Sequence, residues 1–188
     1  MSGARLFAGC SGPTLLYMRE IPSARLPYSI FVFLLFVGLV QANYQAAHLP
    51  RVIATHFGQG GMANGWQTKG VSFYTEAVLI LLAASIAFGV PRLIEMLPVS
   101  LVNLQNKEYW FAPERRADTL AYFRAQFAWF ACALLAFLLV VYELVFRANL
   151  VFPHQLNTAA FVTVLFTFLA FVVIWAVRLI IHFSKIPR

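Results

Sequence analysis

Four long apolar segments, separated by more polar connections, dominate the pattern along the chain. They cover approximately residues 27–44, 71–90, 125–146 and 158–183. Each is close to the roughly 20 residues that a helix needs to cross the hydrocarbon of a bilayer. The pattern therefore predicts an all-α integral membrane protein with four transmembrane helices. We divide it into an N-terminal tail, residues 1–25, and a four-helix transmembrane domain, residues 26–188.

The composition supports the membrane class. Of the 188 residues, 61% are hydrophobic and only 11% are charged. A soluble domain carries about a quarter charged residues and about half apolar ones. Soluble globular, disordered and collagen-like classes are therefore excluded, and the lipid bilayer is the first predicted partner.

The distribution of positive charge predicts the orientation. The net charge is +7, and eleven of the fourteen Lys and Arg residues lie in the N-terminal tail, the middle connection or the C-terminal end. Cytoplasmic segments of membrane proteins carry such an excess. We therefore expect both termini and the middle connection in the cytoplasm, with the first and third connections outside. Because the basic residues border the apolar segments, we expect no nucleic-acid partner.

The two cysteines do not change this interpretation. Cys10 follows small residues, as in a lipoprotein cleavage site, but a signal peptide needs an apolar stretch of about 7–15 residues before that site. Few large apolar residues precede Cys10, so we expect a retained tail and an uncleaved first span. Cys10 and Cys132 provide neither a disulfide framework nor the spacing of a metal motif.

The two larger connections carry local signals. The outer one, residues 41–75, is glycine-rich between helices 1 and 2, and its Asn64-Gly65 pair favours a turn. We expect a tight, turn-rich lid there rather than regular structure. In the inner connection, Pro113 followed by Glu114 predicts a helix start. That helix should continue through Leu120 and Phe123 into the third span.

Three histidines, His48, His56 and His154, fall at or near the predicted outer side. Histidine is the commonest metal ligand, and a metal site would need Glu76 or Glu143 as a further ligand. The alternative is that the loop histidines bond to the backbone. The spacing of eight between His48 and His56 matches no metal motif, so we expect no metal and keep these two residues as weak candidates only.

Glu143 is an acid within a predicted span, where ionisable residues are often functional. Arg147 lies four residues later, so the two side chains share a helix face and can pair. We expect an ion pair between Glu143 and Arg147 near the outer interface. Few other ionisable groups lie inside the spans, which leaves little for a proton relay. Catalytic triads, Cys/His pairs and phosphate loops are missing from the sequence, so we expect no enzyme, no catalytic residue and no cofactor.

Two stretches resemble a family of membrane proteins. Residues 53–57 read Ile-Ala-Thr-His-Phe, residues 61–66 read Gly-Met-Ala-Asn-Gly-Trp, and Lys69 follows. Residues 106–116 contain Asn-Lys-Glu-Tyr-Trp and then Pro-Glu-Arg-Arg. In order and spacing these segments are similar to those of the domain of unknown function 1648 family, which is related to the SdpI immunity proteins. The chain departs from the family pattern at Ala54, where the family has proline, and at Asn64, where it has aspartate.

The resemblance implies a membrane fold and, in the best-understood relatives, immunity to a secreted toxic peptide with signalling through capture of a repressor. Our leading hypothesis is instead a non-enzymatic protein of the bacterial inner membrane that binds other membrane-protein subunits, as an accessory or stabilising subunit of a complex. Trp, Tyr and Arg often dominate interface energetics. The candidate partner-binding residues are His56, Trp66, Tyr109, Trp110, Arg115 and Arg116. An SdpI-like immunity protein, or a small metalloenzyme or transporter using outer His and Glu residues, is the alternative.

Overall fold

The computed structural model describes residues 23–186, and four helices in this range are long and apolar enough to cross a membrane. They are α1, Arg25–His48; a second span, Lys69–Met96; α5, Arg116–Leu150; and α6, Thr158–Ser184. The chain is thus a multi-pass membrane protein, as its apolar pattern predicts. Cys10 and most of the predicted tail lie outside the described residues. We call the end of the helices nearest residues 49–68 the hairpin end, and the other the opposite end.

The helix α5 is the centre of the arrangement. Its second half packs on α1, where a Cβ at Gly38 would lie 3.0 Å from Leu139 Cδ2. Its first half packs on α6 through aromatic rings, including Phe127 against Trp175 with centroids 5.7 Å apart. At 35 residues, α5 is about 52 Å long at about 1.5 Å per residue. It is therefore longer than the hydrocarbon layer, which explains why it begins nine residues before the predicted third span.

The second span continues past its predicted end near residue 90. It consists of α2, Lys69–Ala84, a π-helical turn, Ser85–Gly89, and α3, Val90–Met96. Pro91 has no N–H to donate to the carbonyl four residues earlier. That carbonyl, Ala87 O, instead accepts from the Tyr28 hydroxyl on α1 at 3.5 Å. The wider turn and this replacement donor allow the helix to pass the proline.

The first connection is more regular than the sequence predicts. It forms an antiparallel hairpin of β1, Val52–Phe57, and β2, Ala63–Thr68. The expectation of a lid without regular structure is therefore wrong, although the chain is mostly helical. The glycines serve the turn between the strands, because Gly60 and Gly61 have φ of 75° and 78°. Such positive values are costly for other residues.

The second connection holds a short helix, α4, Lys107–Trp110, before α5. Helix α5 begins at Arg116 rather than at Pro113, since residues 113–115 form a turn. Its continuation through Leu120 and Phe123 into the span is confirmed. The α4 segment closes the end of α6: Trp110 Nε1 donates to Phe183 O at 3.1 Å.

Candidate functional site

The hairpin is held on the end of α5 by one side chain. Asn149, only 6% exposed, accepts from Ala54 N at 2.7 Å and donates to Ala54 O at 2.8 Å. Both backbone groups of Ala54 are thereby satisfied on the side of β1 away from β2. A proline at position 54 could not make the first of these bonds, because it has no N–H.

Inside the hairpin, His56 contacts both Asn64 and Gly65. His56 Nδ1 is hydrogen-bonded to Asn64 Oδ1, and His56 pairs with Gly65 across the two strands. A Cβ at Gly65 would lie 2.7 Å from His56 Cβ. Glycine at this position therefore makes room for the histidine, and Asn64 fixes the orientation of the imidazole ring.

Lys69, at the start of α2, links the base of the hairpin to the end of α1. Its ammonium donates to Ala46 O at 2.8 Å and to Leu49 O at 3.0 Å. These carbonyls belong to the last turn of α1 and the residue after it, where helix carbonyls have no partner within the helix. The lysine thus ties α1 to α2 at the hairpin end and also favours the negative end of the α1 dipole.

The connection between α5 and α6 packs along β2 and its turn. Ala63 N donates to His154 O at 3.1 Å, and Leu156 N donates to Gly61 O at 2.8 Å. A Cβ at Gly61 would collide with Leu156 O, so this contact requires glycine. The Trp66 ring lies against the His154 ring, edge to face, with centroids 5.3 Å apart.

This assembly presents an exposed apolar surface. We call it the hairpin patch and define it by Met62, Trp66, Val151 and Phe152. Phe152 is 91% exposed and Trp66 is 52% exposed. His154 lies between these two aromatic rings and contacts both. The patch belongs to the connections rather than to the spans, and hydrogen bonds to Asn149, His154 and Leu156 hold the backbone beneath it.

At the opposite end, the predicted partner-binding residues are engaged within the chain. Trp110 is only 8% exposed, stacks on the His182 ring and meets the Phe183 ring edge to face. The Arg115 guanidinium lies 4.0 Å from the centroid of the Tyr109 ring. Arg116 Nη2 donates to Glu95 O at 2.9 Å. These four residues hold α3, α4 and α5 together, and Trp110 has almost no surface to offer.

The histidines at the hairpin end are not gathered around a common point. His48 Nδ1 lies 2.7 Å from Tyr44 O, and His154 Nδ1 lies 3.2 Å from Ala148 O. Among residues 23–186, no group of three or more His, Cys, Asp and Glu side chains could hold a metal ion. The backbone contacts of His48 and His154 match the alternative that the sequence left open.

Glu143 and Arg147 lie on one face of α5 near the hairpin end. Arg147 Nε is 2.7 Å from Glu143 Oε1, and both side chains are at least one-third exposed. The second Glu143 oxygen accepts from Gln45 Nε2 on α1 at 3.4 Å. The pair thus belongs to the surface of α5 and also contacts α1.

Several residues of the site are not evident from the sequence. Asn149 lies 95 positions from Ala54, and a single asparagine at a helix end gives no motif. Phe152 and Met62 look like ordinary apolar residues until their exposure is known. Only the turn glycines and the Asn64-Gly65 pair give a local signal. Comparison of the chain with models of protein families, with curated proteins and with solved structures finds no match.

Proposed function

We propose that the chain is a non-enzymatic accessory or stabilising subunit of a complex in the bacterial inner membrane, and that it binds its partner through the hairpin patch. The observation that carries the proposal is an exposed, apolar and firmly held surface on the connections at the hairpin end. Basic residues are in excess in the middle connection and at both termini. This excess supports placing the hairpin outside and both termini in the cytoplasm.

The location of the patch favours a protein partner. Exposed apolar side chains on the spans face lipid and need no other explanation. The patch residues instead lie on the hairpin and on the α5–α6 connection. Large exposed apolar groups grouped outside the spans mark an interaction surface. Tryptophan is enriched among the residues that dominate interface energies. Because hydrogen bonds already order the backbone, little entropy is lost on binding.

The opposite end is not part of the proposed interface, because the aromatic and basic side chains predicted to bind there are buried or make contacts within the chain. Trp110 is buried, and Tyr109 and Arg115 contact each other. We assign these residues to closing the end of α6 and positioning the second connection. The proposed contact therefore rests on the hairpin patch, with His56 and Asn64 shaping the strand that carries Trp66.

Mutation of the patch tests this proposal. The Trp66→Ala, Phe152→Ala double variant should lose a partner that co-purifies stoichiometrically with the wild-type protein in mild detergent. The control is Phe33→Ala, which removes an aromatic ring that is 63% exposed on the α1 span. The control should retain the partner. Equal retention by the double variant, with an unchanged unfolding temperature, would contradict the assignment of the patch.

The immunity alternative uses the same surface. The first of the two stretches that resemble the domain of unknown function 1648 pattern includes His56, Gly61, Asn64 and Trp66, which fall in the hairpin and contact one another or the adjoining loop. A secreted peptide could therefore meet the same patch. Gene neighbours that encode a secreted peptide and a repressor would favour immunity, whereas subunits of a membrane complex would favour the accessory role.

A further inference from the structure

Three helices place polar side chains at one level between two apolar layers. The layer nearer the hairpin end consists of Leu49, Ile53 and Phe146, with Phe73 packed against them. The layer nearer the middle of the spans contains Phe31, Ala83, Leu135 and Leu139 among its buried members. Leu49 follows the end of α1, Phe73 belongs to α2 and Phe146 belongs to α5. These three residues therefore mark the same depth on the three helices, and the residues one turn further into the spans lie between the two layers.

One helical turn from the apolar layer nearer the hairpin end, each of the three helices carries a polar residue. On α1 it is Gln45, on α2 it is Glu76, and on α5 they are Tyr142 and Glu143. We call these four the polar layer. Gln45 donates to Glu143 across the α1–α5 interface at 3.4 Å, and Tyr142 precedes Glu143 in α5.

Glu76 is the unusual member of this layer. It is only 3% exposed, and its Oε1 atom has no hydrogen-bond partner among residues 23–186. Within the same range it makes no ion pair, whereas the charge of Glu143 is balanced by Arg147. A buried carboxylate without a partner is costly, since burial removes its hydration. An ionisable residue inside a span is for this reason a candidate for binding an ion.

The polar side chains at and next to this level of the helices indicate which ion fits. Gln45, 2% exposed, directs its amide nitrogen to Glu143 and so keeps its carbonyl oxygen as a possible ligand. Ser72 lies one turn before Glu76 on the same face of α2 and is also buried. Such oxygen ligands suit hard cations. One uncompensated carboxylate with neutral oxygens matches a single positive charge, whereas Ca²⁺ sites collect several carboxylates.

We propose that the polar layer is a binding site for a small monovalent metal cation, with the Glu76 carboxylate as its charged ligand and the Gln45 and Ser72 oxygens as neutral ones. Glu143 connects this site to the surface, because its side chain is 36% exposed and it contacts Gln45. The site is separate from the hairpin patch and does not depend on the proposed partner.

Sodium titration of the full-length protein in detergent tests the proposal. Calorimetry should show saturable Na⁺ binding at one site per chain, at constant pH and with choline chloride keeping the ionic strength fixed. Glu76→Gln should abolish this binding, because it keeps the shape of the side chain and removes the charge. The control variant is Glu95→Gln, whose carboxylate pairs with Arg92 in α3 and is 38% exposed; it should bind Na⁺ as the wild type does.

Thermal unfolding provides the second measurement. A ligand that binds only the folded state raises the unfolding temperature, so Na⁺ should raise it for the wild type and for Glu95→Gln but not for Glu76→Gln. Without Na⁺, Glu76→Gln should unfold at or above the wild-type temperature, because a buried charge has been removed. Absence of saturable Na⁺ binding to the wild type, or equal binding to Glu76→Gln, would overturn the proposal. A response to pH alone would also overturn it, since the site would then hold only a proton.

Discussion

Asn149 holds Ala54 by both of its backbone hydrogen-bonding groups, with distances of 2.7 Å and 2.8 Å. This contact joins the last turn of the central helix α5 to the first strand of the hairpin. Asn149 Nδ2 also donates to Val145 O at 2.9 Å, which fixes the orientation of the amide. Asn149 therefore fixes the position of the hairpin patch over the bundle together with the backbone hydrogen bonds from the α5–α6 connection.

Removal of that side chain should loosen the hairpin. Asn149→Ala leaves the N–H and C=O of Ala54 buried without partners, and we expect a loss of about 2 kcal/mol in the free energy of unfolding. Hydrogen exchange at the Ala54 amide should accelerate. The matched control is Asn43→Ala, which removes an exposed asparagine that donates to Leu39 O within α1. Equal losses for the two variants would show that the contact to Ala54 has no special weight.

A proline at position 54 gives a second test of the same contact. Ala54→Pro removes the N–H that donates to Asn149, and we expect it to destabilise the wild-type protein by about 2 kcal/mol. In an Asn149→Ala background the bond is already absent, so the same substitution should cost much less. A double-mutant cycle measures this coupling. Additive effects of the two substitutions would mean that they act independently.

The two turn glycines should differ in their tolerance of a side chain. Both have positive φ, but a Cβ at Gly61 would collide with Leu156 O, whereas a Cβ at Gly60 meets nothing within 4 Å. We expect Gly60→Ala to cost about 1 kcal/mol, which reflects the backbone conformation alone. Gly61→Ala should cost about 3 kcal/mol, because the α5–α6 connection must also move. Chemical denaturation of the two variants compares them, and similar midpoints would refute the close approach.

The four spans are predictable from the sequence because lipid offers no hydrogen-bond partners to the backbone. An uninterrupted apolar run of about 20 residues must be a helix that satisfies its own backbone, so the four spans are predictable. Their ends are less so. Pro91 suggests the end of a helix, whereas the π-helical turn before it and the contact of Tyr28 with Ala87 O explain why the helix continues.

The hairpin and the site depend on contacts between distant residues. Gly60, Gly61 and Gly65 are visible in the sequence as turn residues, but the strands beside them are specified by Asn149 and by the 154–156 segment. Likewise, Trp110 has the composition of an interface residue, and its burial against Phe183 appears only in the fold. Glu76 is recognisable as an acid in a span, whereas its lack of a partner is not.

The proposed orientation predicts which positions an impermeant reagent reaches in intact cells. In a background of Cys10→Ser and Cys132→Ser, a cysteine replacing Gln59 in the hairpin turn should be labelled. A cysteine replacing Glu114, which is exposed before α5, should be labelled only after the cells are opened. Both positions are exposed in the structure, so the difference reports the side of the membrane. The reverse pattern would place the hairpin in the cytoplasm and contradict the positive-inside argument.

The central claim is that this chain works as a subunit that binds another membrane protein. Native mass spectrometry of the wild-type protein, purified from its own membrane in mild detergent, tests it most directly. The account predicts a complex of fixed stoichiometry with a second protein, which the Trp66→Ala, Phe152→Ala variant loses and Phe33→Ala retains. A wild-type chain that is recovered alone from membranes solubilised under several mild conditions would contradict the account.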